Sequence, residues 1–297
     1  MDKRTAALLA AFGASLIYAI NHTLAKGIMP VYIKPFGFIL LRVLGAAILF
    51  WILSIWTPKQ KIERKDWPRV VACTFFGMAI NMLMFFKGLQ LSTPINSSVM
   101  ITISPILVFI LSAIFIKEKI TLLRTIGILM GFGGALGLVL FGAETRQDAP
   151  NIPLGNALFI INATSYAIYL ILVKPLTAKY HSFTLMKWFF LLGIFFNLPV
   201  TISEFIEVEW TSLPIDVVWK MVFVVVGTTF FTYLLNIFAL KELKASTIGA
   251  FIYLQPLLAI SFAITMGADS LNVVKITAAL FVFIGVYLVT KPSKKLT

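Results

Sequence analysis

Charged residues are scarce in this chain, and acidic residues are the scarcest. Only 12% of its 297 residues are charged, with 12 aspartates and glutamates against 25 lysines and arginines, while 60% are hydrophobic. Soluble domains are about one quarter charged and about half apolar. The low charge excludes one large soluble domain, because long uncharged runs would face water, and it predicts that lipid covers part of the surface.

Cysteine and histidine are nearly absent as well, which limits the available chemistry. The one cysteine, Cys73, cannot form an intrachain disulfide and lies in an apolar run, so we expect a buried, inert thiol. Neither His22 nor His181 has an acidic residue within a few positions. A membrane enzyme acting on lipid would need such catalytic pairs at the interface. We therefore expect no enzyme, no metal site and no cofactor.

Long apolar runs are what the chain has instead, each near the 20 residues that span a bilayer. The first run follows the basic segment Met1–Arg4 and is followed by more membrane, which indicates a retained span and not a signal peptide. The sequence predicts an all-α integral membrane protein with ten transmembrane helices. The predicted spans are Thr5–Lys26, Lys34–Trp56, Trp67–Leu91, Pro94–Ile116, Thr121–Phe141, Pro153–Lys174, Ser182–Ser203, Ile215–Leu240, Ala245–Gly267 and Leu271–Thr290.

The loops between these runs alternate in charge, which predicts the orientation. Alternate loops and both tails carry most of the lysines and arginines, whereas the other loops carry most of the acids. Basic loops stay in the cytoplasm, so we expect both termini there, in a cell inner membrane. The formal net charge of +13 then indicates anionic lipid, and no nucleic acid, as the partner.

The two halves of the sequence repeat each other. Tyr18-Ala19-Ile20 recurs as Tyr166-Ala167-Ile168, 148 positions later, and Pro105 matches Pro256, 151 positions later. Residues 1–148 and 149–297 are therefore predicted to be two five-helix repeats. Because five is odd, the second repeat enters the membrane from the opposite side, which gives the inverted repeats of many secondary transporters.

These features resemble a known family. The helix of Pro105 ends in Lys117-Glu118-Lys119, that of Pro256 ends in Ala268-Asp269, and glycines recur from Gly127 to Gly137. The chain resembles the drug/metabolite transporter superfamily, in its ten-span EamA-type branch, over about residues 6–141 and 154–290. The resemblance implies export of amino acids and other small metabolites and names no substrate. Asp269 departs from the glutamate that is more common in that family.

Charges inside the predicted spans are basic and not acidic. All twelve acids fall in loops or at helix ends, which argues against proton exchange through a buried carboxylate. Among the basic residues, Arg42 is the deepest, and either it meets a substrate carboxylate or its long side chain extends to the interface. Lys187 lies at the matching position of the second repeat, near a span end, where extension to the interface is favoured.

Uncharged polar and aromatic residues supply the other cavity candidates. Asparagines and glutamines also hold helices together in membranes, Trp188 also fits an interfacial aromatic belt, and His22 also fits a packed histidine near the outer surface. Pro105 and Pro256 are predicted hinges, because proline removes a helical hydrogen bond near mid-span. The substrate-cavity candidates are Asn21, His22, Arg42, Asn81, Asn96, Ser104, Tyr166, Tyr169, Trp188, Tyr233, Asn236, Tyr253 and Gln255.

The sequence thus predicts a secondary transporter of small metabolites, with amino acids as the first expectation. Its halves would alternate between inward-open and outward-open arrangements, and it would act as a monomer or a homodimer. The alternative is a transporter of small organic or phosphorylated anions that uses the intramembrane arginine and lysines. A channel is disfavoured, because no filter or charge ring is visible in the sequence.

Overall fold

The fold is known from a computed structural model that describes residues 2–26, 28–92, 100–141, 150–265 and 273–291. Within these ranges the chain forms helices and connecting loops, and no strand. All-helical structure is expected in lipid, because a helix satisfies its backbone hydrogen bonds within one segment.

The helical segments are numbered here by the apolar run to which they belong. Two of them, α3 and α8, contain a π-helical stretch between two α-helical parts, and α9 contains a 3₁₀ turn. The bounds are α1 Lys3–Lys26; α2 Pro35–Leu53; α3 Trp67–Thr74, Phe75–Ile80 (π) and Asn81–Leu91; α4 Ser104–Phe115; α5 Leu122–Phe141; α6 Ile152–Lys179; α7 Ser182–Ile206; α8 Ile215–Phe223, Val224–Phe231 (π) and Thr232–Glu242; α9 Ala245–Ala250, Phe251–Tyr253 (3₁₀) and Leu254–Thr265; and α10 Val273–Thr290.

Six of the described helices, α1, α2, α3, α6, α7 and α8, are long and apolar enough to cross a membrane. The other four, α4, α5, α9 and α10, are apolar over shorter described stretches. The multi-span membrane fold is therefore confirmed, whereas the count of ten spans stays a prediction. Part of the predicted fourth span, residues 94–99, lies outside the described residues.

The two proline positions differ from the expected mid-helix kinks. Pro105 is the second residue of α4, and Pro256 is the third residue of the α-helical segment Leu254–Thr265 that follows the 3₁₀ turn Phe251–Tyr253. Proline fits the first turn of a helix, where no hydrogen-bonded N–H is needed, so a new helical segment begins at each position. The regular α-helix is thus interrupted just before each proline. Whether these breaks act as hinges stays a prediction.

The π-helical stretches occupy matching places in the two halves. Val224 begins its stretch 149 positions after Phe75 begins the other, which is close to the offsets found in the sequence. A π-helical turn is rare and is often found at functional sites. Its recurrence at one repeat position was not predicted from the sequence.

Helices pack mainly on helices of the other half. The most extensive contacts join α5 to α10, α2 to α7, α1 to α8, and α3 to α6, followed by α1 with α9 and α4 with α6. Exchanging the halves, so that α1 becomes α6 and α3 becomes α8, turns this set of contacts into itself. The two halves are therefore interleaved in space.

The loops gather at two ends of the bundle according to charge. The connection 57–66 contacts residues 179–181, and Glu118 contacts the start of α9, at what we call the basic end. Lys34, Glu204 and Glu207 contact one another or the start of α2 at the opposite, acidic end. This grouping matches the predicted alternation of loops. That the basic end faces the cytoplasm stays a prediction.

Glycines allow the closest approach of backbones, between α5 and α10. A Cβ added at Gly285 would lie 2.6 Å from the Gly127 carbonyl oxygen and 2.6 Å from the Gly131 nitrogen. Neither neighbour is a flexible side chain, so neither can move aside. Gly127, Gly131 and Gly134 of the fifth span thus serve to pack the two halves together.

Replacing Gly285 with alanine should push α10 away from α5. Overpacking a close contact typically costs about 1–3 kcal/mol, so we expect a lower midpoint of thermal unfolding in detergent. Gly133→Ala is the matched control, because a Cβ there would meet nothing within 4 Å. Equal melting of the two variants would contradict the assigned packing.

Candidate functional site

The π-helical stretch of α3 is held by side chains from the other half. The Phe76 carbonyl accepts a 2.7 Å hydrogen bond from the Ser165 hydroxyl, and the Met78 carbonyl accepts one of 3.2 Å from the Asn197 amide. A π-helical turn leaves carbonyls without regular partners, and an unsatisfied carbonyl is costly in lipid. Residues of α6 and α7 therefore stabilise the irregular backbone of α3.

Asn81 belongs to this packing between helices. Its amide donates to the Asn162 carbonyl at 3.3 Å, and the Asn162 amide donates back to the Asn81 carbonyl at 2.7 Å. This reciprocal pair joins α3 to α6 directly. It is the interhelical use of asparagine that the sequence left open as the alternative to a ligand contact.

The π-helical stretch of α8 presents threonine hydroxyls to α1 and α2. Thr229 donates to its own helix at the Val224 carbonyl, at 2.9 Å, and Thr228 donates to the Asn21 side-chain oxygen at 3.0 Å. Asn21, a sequence candidate, is thereby placed against α8. The threonines were missed because they lie in an uninterrupted apolar run.

Arg42 lies buried in α2 against this stretch, with 7% of its surface exposed. Its Nε donates to the Thr229 hydroxyl at 3.0 Å, and its guanidinium carbon lies 5.9 Å from the centre of the Phe86 ring. Among the described residues, no acid forms an ion pair with it. Its terminal nitrogens therefore remain available to an anionic group.

Four tyrosines surround the same region. Tyr18, Tyr166, Tyr169 and Tyr233 lie near one another, and Tyr18 and Tyr233 also lie near Arg42. Ring centres of Tyr166 and Tyr169 lie 6.3 Å apart, and Tyr233 packs edge-on to Phe190 at 5.2 Å. Tyr166, Tyr169 and Tyr233 were sequence candidates; the structure brings the three together, and Tyr233 also lies near Arg42.

Tyr18 was not among the sequence candidates, although a signal for it existed. It lies 148 positions before Tyr166, within the first matched segment of the repeat. Applying the repeat to the candidate set would have added it.

Gly77 makes room for the neighbouring Tyr169 ring, because a Cβ there would lie 2.5 Å from a ring carbon.

The remaining candidates are dispersed. Trp188 packs edge-on to Trp51 and Trp67, at 5.4 and 5.0 Å, in a separate tryptophan cluster. Tyr253 is buried against Gly131, and its hydroxyl has no partner among the described residues. Ser104 is buried at the start of α4, whereas Asn236 and Gln255 are half-buried. Asn96 and the side chain of His22 lie outside what the structure describes.

Acidic side chains cap helices across the halves at both ends of the bundle. At the acidic end, Glu204 accepts from the backbone N–H groups of Phe36 and Gly37, at 2.6 and 3.1 Å. At the basic end, Glu118 accepts from the Ala245 N–H at 2.9 Å and from the Ser246 hydroxyl at 2.5 Å. A carboxylate at a helix N-terminus is favoured by the unpaired N–H groups and the helix dipole.

Further contacts close the basic end. Lys179 forms ion pairs with Glu63 at 2.7 Å and with Asp66 at 2.6 Å, and the Tyr180 hydroxyl donates to Asp66 at 2.6 Å. The hydrogen bond from Lys179, with that from Tyr180, holds the pKa of the Asp66 carboxyl below its usual range. Lys174 donates to the Leu243 carbonyl at 2.7 Å and also to that of Leu240, so it caps the end of α8.

Known proteins that are similar to this chain are named as transporters. A family model described as the EamA-like transporter family matches residues 5–140 and again residues 153–291. A protein of Archaeoglobus fulgidus named "Uncharacterized transporter" is 28% identical, over 88% of this chain and 90% of its own. The transporter YyaM of Bacillus subtilis is 23% identical, over 92% and 90%. These names point to transport and away from catalysis.

One solved crystal structure has the same fold. It superposes with a TM-score of 0.77 at 18% sequence identity and covers 96% of each chain. Similarity at this identity bears on the fold alone.

Thr229→Val should disturb the site by removing one hydroxyl. The variant leaves Arg42 Nε and the Val224 carbonyl without their partner, which should cost about 1–3 kcal/mol and lower the midpoint of thermal unfolding. Thr229→Ser should restore the midpoint of thermal unfolding, because serine keeps the hydroxyl. Thr164→Val is the control, since the Thr164 hydroxyl bonds only its own helix, at Ile160. Wild-type melting of Thr229→Val would contradict the assigned contact.

Proposed function

The chain belongs to the EamA-like transporter family, and on that basis we propose that it moves small carboxylate-bearing metabolites, amino acids first, across the cell inner membrane. The halves alternate access to a site around Arg42, the basic end and both termini face the cytoplasm, and transport is outward. The ten apolar segments are its spans, arranged as two inverted five-helix repeats.

The observation that carries this proposal is the buried arginine without an acidic partner. A charge inside a membrane protein is costly and usually marks a functional site. Arg42 Nε bonds only a neutral hydroxyl, at Thr229, so its charge is uncompensated among the described residues. Guanidinium groups bind carboxylates through two parallel hydrogen bonds. A substrate carboxylate therefore fits this place.

The aromatic surroundings favour a zwitterion over a simple acid. Tyrosine rings attract ammonium groups through their faces, by about 0.5–2 kcal/mol, and tyrosine hydroxyls can accept hydrogen bonds. Tyr233, near Arg42, and Tyr166 and Tyr169, which lie near Tyr233, supply both features. An α-amino acid could place its carboxylate on Arg42 and its ammonium group on the tyrosines.

The packing supports alternating access as the mechanism. Each half lies mainly against the other, and the contact set is unchanged when the halves are exchanged. Glu118 ties α4 to α9 at the basic end, and Glu204 ties α7 to α2 at the acidic end. Opening one end requires its cap to break while the other can remain.

The second candidate is a transporter of organic or phosphorylated anions. The same observation favours it, because Arg42 would attract a substrate whose charge is only negative. It differs in needing no site for an ammonium group. The substrate panel below separates the two.

Transport by the purified protein in proteoliposomes should show uptake of neutral amino acids. Arg42→Gln should reduce uptake roughly tenfold or more, since a hydrogen bond to a charged group contributes about 1.5–3 kcal/mol and about 1.4 kcal/mol is tenfold. Arg42→Lys should rescue only in part, because lysine lacks the planar pair of donors. Uptake confined to organic or phosphorylated anions would establish the second candidate instead.

Lys187→Gln is the matched control for this assay. Lys187 occupies the repeat position of Arg42, but its ammonium lies 5.2 Å from the centre of the Trp51 ring, in the separate tryptophan cluster. Its removal should leave uptake close to that of the wild type. Equal loss in Arg42→Gln and Lys187→Gln would remove the basis for placing the substrate at Arg42.

Breaking the two caps should open opposite ends of the bundle. In a Cys73→Ala background with Asn236→Cys as reporter, Glu118→Ala should raise labelling by an impermeant maleimide applied at the basic end. Glu204→Ala should raise labelling from the acidic end. The controls are Glu242→Ala and Glu209→Ala, exposed acids at the respective ends. Unchanged labelling in both cap variants would contradict the assignment of the caps as gates.

A further inference from the structure

A second group of cations lies at the basic end, away from Arg42. It comprises Arg4 in the first turn of α1, Lys119 between α4 and α5, Arg124 in the first turn of α5, and Lys244 between α8 and α9. Lys244 interacts electrostatically with Arg124 and Lys119, and Arg124 with Arg4. Four elements of the fold thus bring like charges together.

Arg124 is the innermost member of this group. Only 6% of its surface is exposed, and its side chain forms no hydrogen bond or ion pair with another described residue. Arg4 is half-buried and donates to the Thr290 carbonyl at the end of α10. A buried guanidinium without partners is costly, so an anionic partner from outside the chain would stabilise it.

Two acids interact with these cations, Asp2 with Arg4 and Glu118 with Arg124 and Lys244. The oxygens of Glu118 are already engaged. One accepts from the Ala245 N–H and the other from the Ser246 hydroxyl. Burial lowers the pKa of Lys244, Arg124 lowers it further, Glu118 opposes this, and Lys119 lowers it again. Within the described chain, the positive charge of the group is not balanced.

The immediate surroundings of the group are apolar and exposed. Ile120, Leu122 and Leu123 are 62%, 77% and 40% exposed and lie next to Lys119 and Arg124 in the chain. In a membrane protein such side chains face acyl chains. The group therefore combines cations at the level of lipid headgroups with an apolar surface directly beside them.

We propose that Arg4, Lys119, Arg124 and Lys244 bind the phosphodiester headgroup of an anionic lipid, whose acyl chains lie over Ile120, Leu122 and Leu123. A free phosphate shares the headgroup chemistry but would leave the apolar surface unused. The site adjoins the Glu118 cap of α9, so a bound lipid balances the charge around that cap. The inference is independent of the transported substrate.

The test measures lipid binding by the full chain in detergent. Phosphatidylglycerol, phosphatidylcholine and inorganic phosphate are titrated separately while the thermal midpoint is followed, and retained lipid is counted by native mass spectrometry. Phosphatidylglycerol should raise the midpoint of the wild type, whereas phosphatidylcholine should have little effect. Lys119→Gln with Lys244→Gln should weaken the apparent affinity for phosphatidylglycerol at least about tenfold, because two charge-assisted contacts to the headgroup are lost.

The variants are chosen so that misfolding can be distinguished from a loss of lipid binding. Lys119 and Lys244 lie outside the helices, so their double variant should fold, and Arg124→Gln is measured beside it. The control is Lys59→Gln with Lys61→Gln, which removes two exposed cations from the same end and should bind phosphatidylglycerol like the wild type. Equal loss in the two double variants, or no preference over phosphatidylcholine, would overturn the site. Stabilisation by inorganic phosphate equal to that by phosphatidylglycerol would overturn the lipid assignment.

Discussion

The need to satisfy every backbone hydrogen bond in a medium without water governs this molecule. It explains the all-helical fold, and it also fixes where the helices can be irregular. In the π-helical stretch of α3, the Phe76 and Met78 carbonyls accept hydrogen bonds from Ser165 and Asn197. In the 3₁₀ turn of α9, the Phe251 carbonyl accepts a hydrogen bond from the Ser15 hydroxyl, at 3.1 Å. Each of these two irregular turns is therefore stabilised by side chains of other helices.

This constraint also shapes the site. In α8 the irregular turn is stabilised by Thr229, and the same hydroxyl accepts from Arg42. The Thr229 side chain thus satisfies a backbone carbonyl and also positions the Arg42 guanidinium. The guanidinium is held in place by its neighbours, so binding of the proposed substrate carboxylate would cost little further ordering.

Much of this fold could be predicted from the sequence, because span length and loop charge are strong signals. Arg42, Asn21 and Tyr166 could be chosen as cavity candidates because they are polar residues within apolar runs. The π-helical stretches could not be found, since their sequences are as apolar as any regular span and the irregularity depends on partners from distant helices. Trp188 could not be placed either, because an aromatic residue at a span end fits a cavity and a membrane interface equally well.

The interleaving of the halves has a consequence for biosynthesis. Because α1 packs on α8 and α3 on α6, the helices that leave the ribosome first find their main neighbours only when helices of the second half are made. Asn81, Arg42 and Asn21 would wait in the bilayer with their hydrogen bonds unmade. The nascent first half must therefore persist as loosely associated helices until translation is nearly complete, and final assembly follows synthesis as one late step.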